Sequence, residues 1–310
     1  MKQTATSGSG FGVRQKKGLS LKTRKTLVGL SFILPNFIGF FCFVLIPVVF
    51  SFLLSVMDWD GFNEMTFAGL SNFRSLFKDR VFKTALVNTV YFSVFGVLIT
   101  AFLALALAIL INRKLKGISI FRSAIFFPYV APVVAVAAVW NALFMRDFGP
   151  VNSVLQAIGI ANPPGWFTST KWALPAVIVV WIWKNMGYYM ILYLAGLQDV
   201  PRQLYEAAEV DGASRWDQIR YITFPMLAPV HFFVFIMLTI NSFKTFDLVY
   251  ALTQGGPGTA TTVLSQYIYN QSFVYWDYGR ATAASVILFL IVGTITIIQF
   301  RYEKKFNDFL

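Results

Sequence analysis

Long stretches without a charged side chain set the pattern of this 310-residue chain. They cover 26–57, 84–112, 123–145, 148–170, 221–243, 248–276 and 281–300, and 172–198 is broken only by Lys184. An α-helix rises about 1.5 Å per residue and a bilayer's hydrocarbon core is about 30 Å thick, so about 20 mostly apolar residues make one crossing. Two runs fail on content. Residues 148–170 hold Gly149-Pro150, Asn152, Gln156 and Asn162-Pro163-Pro164-Gly165, and read as a loop. Residues 253–276 carry Gln254-Gly255-Gly256-Pro257 and many Thr, Ser, Asn and Gln side chains. Six predicted spans remain, at about 27–56, 84–111, 121–144, 172–197, 226–250 and 281–300. The predicted class is all-α, a polytopic membrane protein with six transmembrane helices.

Composition agrees with that pattern. Hydrophobic residues make up 57% and charged residues 13%, about half the roughly 25% usual in soluble proteins. The net charge of +12 would point a soluble protein toward nucleic acid, so its placement matters. Segments 1–26, 112–122, 198–225 and 301–310 hold 17 of the 26 Lys and Arg residues, while 57–83, 145–171 and 251–280 hold 7. Lys184 and Lys244 lie inside spans. Short loops rich in Lys and Arg stay cytosolic, which places both termini in the cytosol, as an even number of spans requires. The excess charge therefore orients the chain rather than attracting a polyanion.

The predicted organisation is a disordered basic cytosolic tail at 1–26, a membrane domain at 27–300 and a cytosolic tail at 301–310. Met1–Lys25 does not read as a cleavable signal peptide. The apolar run after it is far longer than the usual 7–15 residues, and no small-residue cleavage pattern follows. A single Cys excludes an internal disulfide, and a single His excludes a multi-histidine metal site. Cys42 is expected to be a buried small apolar residue, and His231 a packed one. No catalytic group and no metal site is expected.

One inside loop differs from the others. Residues 199–225 carry Asp199, Glu206, Glu209, Asp211 and Asp217 against Arg202, Arg215 and Arg220. Pro201 suits a helix's first turn and the residues after it favour a helix. Leu204, Ala207, Ala208 and Asp211 fall at i, i+3, i+4 and i+7, giving one narrow, small-residue face. Gly212-Ala213 permits a sharp turn, and a second amphipathic stretch follows with Trp216, Ile219 and Ile222. Such a knob fits a groove on a cytosolic partner; a solvated connector is the alternative.

Glu206-Ala207-Ala208, then Gly212, then Ile222-Thr223-Phe224-Pro225 resembles the EAA signature of permease subunits of ABC importers. Asp211-Gly212-Ala213 is similar to the family as well; Phe224 stands where the signature usually has Leu. The resemblance extends over nearly the whole chain and narrows to the carbohydrate-type permeases. Leu34-Pro35 with Pro47, Phe67-Ala68-Gly69-Leu70-Ser71-Asn72-Phe73, Asn88-Thr89, Pro128-Tyr129-Val130-Ala131-Pro132 with Trp140, and Thr253-Gln254-Gly255-Gly256-Pro257 carry it. The first-span pattern and the Gly-Gly-Pro loop resemble the maltose or glycerol-phosphate type of first permease.

That resemblance implies a prokaryotic inner-membrane permease of a binding-protein-dependent sugar importer. The 199–225 loop would dock on the ATPase through Leu204, Glu206, Ala207, Ala208, Asp211, Gly212 and Ala213. A second six-span permease, two ATP-binding-cassette ATPase subunits and an extracytoplasmic solute-binding protein are the implied partners. The chain itself is expected to hold no cofactor and to be no enzyme. It contains no Gly-x-x-x-x-Gly-Lys-Ser/Thr loop, and ATP and magnesium belong on the partner ATPases.

Polar residues inside spans are costly and therefore face protein or water. Lys184, Asn185, Tyr188 and Tyr189 fall on one helical side. Asn241, Lys244, Thr245 and Leu248 do the same in the fifth span, with Ser242 adjacent and Asp247 three residues after Lys244. The resemblance implies sugar contacts around Asn185, Tyr188, Asn241, Ser242 and Thr245. Lys184 and Lys244 on the path would favour an anionic sugar. Alternatively, Lys244 and Asp247 neutralise each other and Lys184 contacts a neighbouring helix. Residues 57–83 and 253–279, with an amphipathic stretch from Val263 to Val274, are the expected docking surface for a binding protein; an interfacial helix is the competing reading. An ion-coupled secondary transporter is the alternative function, but no convincing internal repeat is present.

Overall fold

The computed structural model describes residues 21–112 and 117–307. Most of the basic N-terminal tail, Arg113, Lys114 and Lys116 of the 112–122 loop, and the last three residues lie outside them. The chain divides into two units, Met1–Phe50 and Ser51–Leu310. The first unit holds helix α1 (Leu21–Phe40), a π-helical turn (Phe41–Leu45) and the start of α2 (Ile46–Leu54). Cys42 is exposed there rather than buried. An apolar thiol on a lipid-facing helix needs no protein cover.

The second unit opens with a short antiparallel ribbon, β1 (Met57–Asp58) and β2 (Thr66–Phe67), which pairs Met57 with Phe67 and Asp58 with Thr66. The expected all-helical chain thus carries one small strand pair. Helices α3 (Ser71–Lys78), α4 (Arg80–Ile111), α5 (Ile118–Val130), α6 (Val133–Leu143), α7 (Pro150–Ala157) and α8 (Ala173–Asp199) follow. After them come α9 (Arg202–Val210), α10 (Arg215–Gln218), α11 (Phe224–Met226), α12 (Ala228–Phe243), α13 (Asp247–Thr253), α14 (Leu264–Tyr269) and α15 (Tyr278–Asn307).

Among the described residues, four helices are long and apolar enough to cross a membrane: Lys25–Leu54, Arg80–Ile111, Ala173–Asp199 and Tyr278–Glu303. Two bent pairs raise the number to as many as six. Ile118–Val130 with Val133–Leu143 bends by 101°, and Arg215–Met226 with Ala228–Phe243 by 68°. Two predicted spans are therefore not single helices. The third breaks at Ala131-Pro132 because Pro132 has no N–H to donate and pushes Ala131 into extended backbone (ψ 138°). The fifth ends at Phe243 and resumes at Asp247, so the i, i+4, i+7 series through Lys244 and Thr245 does not continue along one helix. The predicted 148–170 loop also contains a helix. Pro150 starts it at a position where a missing N–H costs nothing. Buried Asn152 ties the loop together, donating to the carbonyls of Arg146 (2.9 Å) and Pro164 (3.2 Å) and accepting from Trp166 Nε1 (2.7 Å).

α8 is the central post, with α4, α5, α12 and α13 packed around it. Small residues let the backbones approach. Gly96 of α4 receives the Trp181 ring, where an added Cβ would sit 3.1 Å from Cζ3, and one at Gly196 would sit 2.6 Å from Val230 Cγ2. The core runs through Phe92, Ala104, Val177, Trp181, Met190, Leu227 and Leu238, all buried.

Two amide side chains hold the ends of this post-and-helix arrangement. Asn72 donates to the carbonyls of Ser55 (3.1 Å) and Met57 (2.7 Å). Asn88, on α4, donates to those of Thr259 (3.1 Å), Ala260 (3.2 Å) and Thr262 (3.0 Å). Neighbouring Thr89 accepts from Leu264 N at 2.8 Å. The segment from Val263 is thus a wall of the unit rather than a free amphipathic strip: Leu264, Gln266, Tyr267 and Gln271 are buried. Tyr267 donates to Asp79 Oδ2 (2.7 Å), and burial first, then that carboxylate, pushes its phenol upward.

Candidate functional site

The polar residues of the interrupted spans converge on a cavity of about 420 Å³. It is lined by Tyr129, Trp181, Lys184, Asn185, Asn241, Lys244, Thr245, Phe246, Asp247 and Leu248. Both helix breaks border it. At the second, Lys244 caps α12 through its backbone N–H, Thr245 donates back to Asn241 O (3.1 Å), and Asp247 accepts from its neighbour Leu248 N (2.9 Å).

Side-chain commitments decide what this cavity can offer. Asn185 Nδ2 donates to Trp181 O (2.8 Å) and Asn241 Nδ2 to the Tyr189 hydroxyl (3.0 Å). Both amides have therefore spent a donor internally and keep a carbonyl-type acceptor. Arg280 and Asp277 form an ion pair at 3.2 Å, away from this cavity. Lys244 and Asp247 both line the cavity, and no ion pair within 4 Å joins them. Lys184 donates instead to the backbone carbonyls of Pro128 (3.1 Å), Tyr129 (3.0 Å) and Ala131 (2.9 Å).

Four of the expected path residues, Asn185, Asn241, Lys244 and Thr245, line the cavity together. Two do not. Tyr188 lies one step behind its wall, stacked on Tyr129 at 4.5 Å and 12°. Ser242 is buried and donates to Thr239 O (2.9 Å). Tyr129, Trp181 and Phe246 complete the lining, and no polar-residue pattern marks them. The signal for Tyr129 is its place beside Pro128 and Pro132.

The 199–225 loop is a self-contained structure. α9 ends at the cap Asp211, and Gly212 adopts the left-handed conformation (φ 79°). Gly212 N–H bonds Glu209 O (3.1 Å) and Ala213 N–H bonds Ala208 O (2.9 Å), the paired bonds of a Schellman motif. Ser214 then starts α10 with a reciprocal capping box to Asp217. The Ser214 hydroxyl, and after it the Ser214 N–H, holds the Asp217 carboxyl below its ordinary range. Tyr205 ties α9 back to Thr223 at 2.9 Å. No side chain of α9 is buried. Val210 is 88% exposed, Trp216 68% and Tyr221 66%. Glu206, Ala207, Asp211 and Gly212 are exposed, Leu204 is 40% exposed, and Ala208 and Ala213 are half-buried.

An apolar helical chain with interrupted spans around a polar cavity, and a rigid apolar-tipped loop beside them, is the architecture of a transport subunit. The model of the family described as binding-protein-dependent transport system inner membrane component matches residues 96–307. The chain belongs to this family.

Similar proteins extend the match to more than nine-tenths of the chain. The lactose transport system permease protein LacF of Rhizobium radiobacter is 39% identical over 92% of this chain and 97% of its own. The trehalose/maltose transport system permease protein MalF of Thermococcus litoralis is 34% identical over 93% and 97%. Among solved structures, a bacterial ABC transporter involved in the import of the acidic polysaccharide alginate is 26% identical. It superposes with a TM-score of 0.80 over 92% of this chain and 97% of that one. Within this inner-membrane component, Phe224 of the EAA-like signature packs its ring 4.4 Å from His231, whose Nδ1 lies 3.1 Å from the Tyr193 hydroxyl. Phe224 itself, the first residue of α11, stays 51% exposed and meets α12 through this ring contact.

Proposed function

We propose that the chain is the sugar-translocating permease subunit of an ATP-driven, binding-protein-dependent importer of the bacterial or archaeal inner membrane. It has six spans and both termini in the cytosol, and the 199–225 loop couples it to a separate ATPase. The observation that carries this reading is the exposed, internally capped α9–α10 knob. Its turn and caps are made by its own residues, while its apolar side chains Val210 (88% exposed), Trp216 (68%) and Leu204 (40%) stand open within the described chain. A solvated connector needs no such tip; a coupling helix does. The two bent pairs, counted as one span each, support six crossings.

The cavity between the breaks is half of the solute path, and a second permease supplies the other half. Asn185, Asn241 and Thr245 present amide and hydroxyl groups suited to sugar hydroxyls, with the faces of Tyr129 and Trp181 beside them. The lactose, trehalose/maltose and alginate systems named for its relatives support a saccharide cargo. One solved alginate transporter was captured with an alginate pentasaccharide-bound periplasmic protein, which supports a binding protein as the donor of solute. Two ATPase subunits complete the assembly and carry the ATP and magnesium.

Co-purification from native membranes should recover the partner permease and ATPase, and saccharide-loaded binding protein should raise ATP hydrolysis. Glu206→Lys and Gly212→Asp should insert normally yet lose that stimulation. Full stimulation in both variants would overturn the coupling role.

A further inference from the structure

Lys184 carries a charge into the middle of an apolar helix and lines the cavity, yet its ammonium is turned to backbone. Its ammonium has three N–H groups. All three are directed at backbone carbonyls at the α5–α6 break: Pro128 and Tyr129 before it, Ala131 within it. These carbonyls need a donor for a specific reason. In a continuous helix Pro128 O would accept from residue 132, which is proline and has no N–H. Tyr129 O would accept from Val133 N, which the 101° bend carries away. Unpaired carbonyls at membrane depth are costly, and Lys184 replaces the missing donors from another helix.

Two more residues of the same face of α8 serve this turn. Gly187, three positions on, brings the backbones together so closely that an added Cβ would overlap the Ile125 carbonyl. Tyr188, four positions on, stacks on Tyr129. Beyond the break the allegiance changes: α5 packs on α8, whereas α6 packs on α13.

We infer that Lys184 is a positioning residue. It pins the α5–α6 break to α8, thereby fixing Tyr129 at the rim of the cavity, and makes no hydrogen bond to the solute. Charge recognition in the cavity then falls to Lys244 and Asp247. The consequence for transport rests on the proposed solute path, but the pin itself does not.

The test reads the bend directly. In a Cys42→Ser background, nitroxide labels at Ile120 and Val139, both exposed and one on each side of the break, report their separation by double electron–electron resonance. The measurement uses the full chain assembled with its partner subunits in lipid nanodiscs. Wild type and Lys184→Arg, which supplies enough donors for all three carbonyls, give the same narrow distribution. Lys184→Met moves and broadens it toward the about 28 Å of a straightened 19-residue helical separation. Lys184→Gln, which keeps an amide donor and so assembles more readily, shows an intermediate broadening. A wild-type distribution in both Lys184→Met and Lys184→Gln overturns the pin. So does a saccharide whose stimulation of ATP hydrolysis falls more than tenfold in Lys184→Arg while the distances stay unchanged, since that result makes Lys184 a ligand. If instead the distances shift as expected but Asn241→Ala leaves saccharide stimulation intact, the pin stands and the assignment of the cavity fails.

Discussion

The loop at 199–225 and the loop at 253–264 both carry signature residues and both turn on glycine with positive φ, yet they are finished in opposite ways. The first closes its own hydrogen bonds, with Gly212 and Ala213 bonding back into α9 and Ser214 capping α10. Its side chains are left outside. The second closes only part of its own, through the N–H groups of Gly256, Ala260, Thr261 and Thr262, and leaves the rest to the scaffold. Thr259, Ala260 and Thr262 hand their carbonyls to Asn88 and Leu264 hands its N–H to Thr89, both from α4. A loop completed by the scaffold is architecture, whereas one completed by itself and left bare is a surface for something else.

The largest effect that separates the two is expected from Asn88→Leu. It leaves the Ala260 and Thr262 carbonyls without their donor and Thr259 O with the Thr262 N–H alone, at about 1–3 kcal/mol for each buried group left unpaired. Assembled protein should fall sharply in fluorescence-detected size exclusion, with a lower melting temperature in detergent. The corresponding insult to the other loop is Gly212→Val. The left-handed backbone costs about 1–2 kcal/mol for a residue with a Cβ, but no atom lies within 4 Å of where that Cβ would sit. Yield should hold while saccharide-stimulated ATP hydrolysis falls.

Ser214→Ala removes the cap of α10, worth about 1 kcal/mol, and should raise amide exchange over 214–218 roughly fivefold without changing exchange at 259–264. Val210→Ala should move stability by less than about 0.5 kcal/mol, yet weaken recovery of the ATPase in pull-downs. A loss of stability in that variant would place Val210 inside the fold.

The smallest effect is one of pH. Because the folded Asp217 carboxyl titrates below its ordinary range, its contribution to the capping box is fully present above the unfolded carboxylate pKa. It is lost as pH falls through the folded value. Fluorescence of Trp216 next to it, with the other tryptophans replaced, should show this acid step. Asp217→Asn should abolish it.

Much of this was legible in the residues, and the gaps have physical causes. Charge-free runs located every long helix, and Asp211-Gly212-Ala213 announced the turn after α9 because only glycine takes that conformation cheaply. The third span reads as one continuous run, and neither its break at Pro132 nor the 101° angle, which depends on Gly187 and Lys184 55 residues or so downstream, shows in that run. The end of α12 at Phe243 has no breaker at all. Ser265, from the start of α14, donates to Phe243 O (3.1 Å), a tertiary bond that no local pattern encodes. Gly149-Pro150 misled in the opposite direction, since the same dipeptide that ends a helix can begin one. Among the cavity residues, the polar ones could be picked by cost in the membrane and Tyr129 by its flanking prolines, whereas Trp181 and Phe246 are indistinguishable from packing aromatics until the breaks bring them together.

The length of α12 has one more consequence. Its 16 residues reach about 24 Å, short of a hydrocarbon core of about 30 Å. Non-helical backbone at Lys244–Phe246 makes up part of the shortfall, and such backbone survives at that depth only beside protein or water. That backbone is also where Lys244, Thr245 and Phe246 line the cavity. The shortness of α12 thus puts polar groups where about one more turn of apolar helix would otherwise stand.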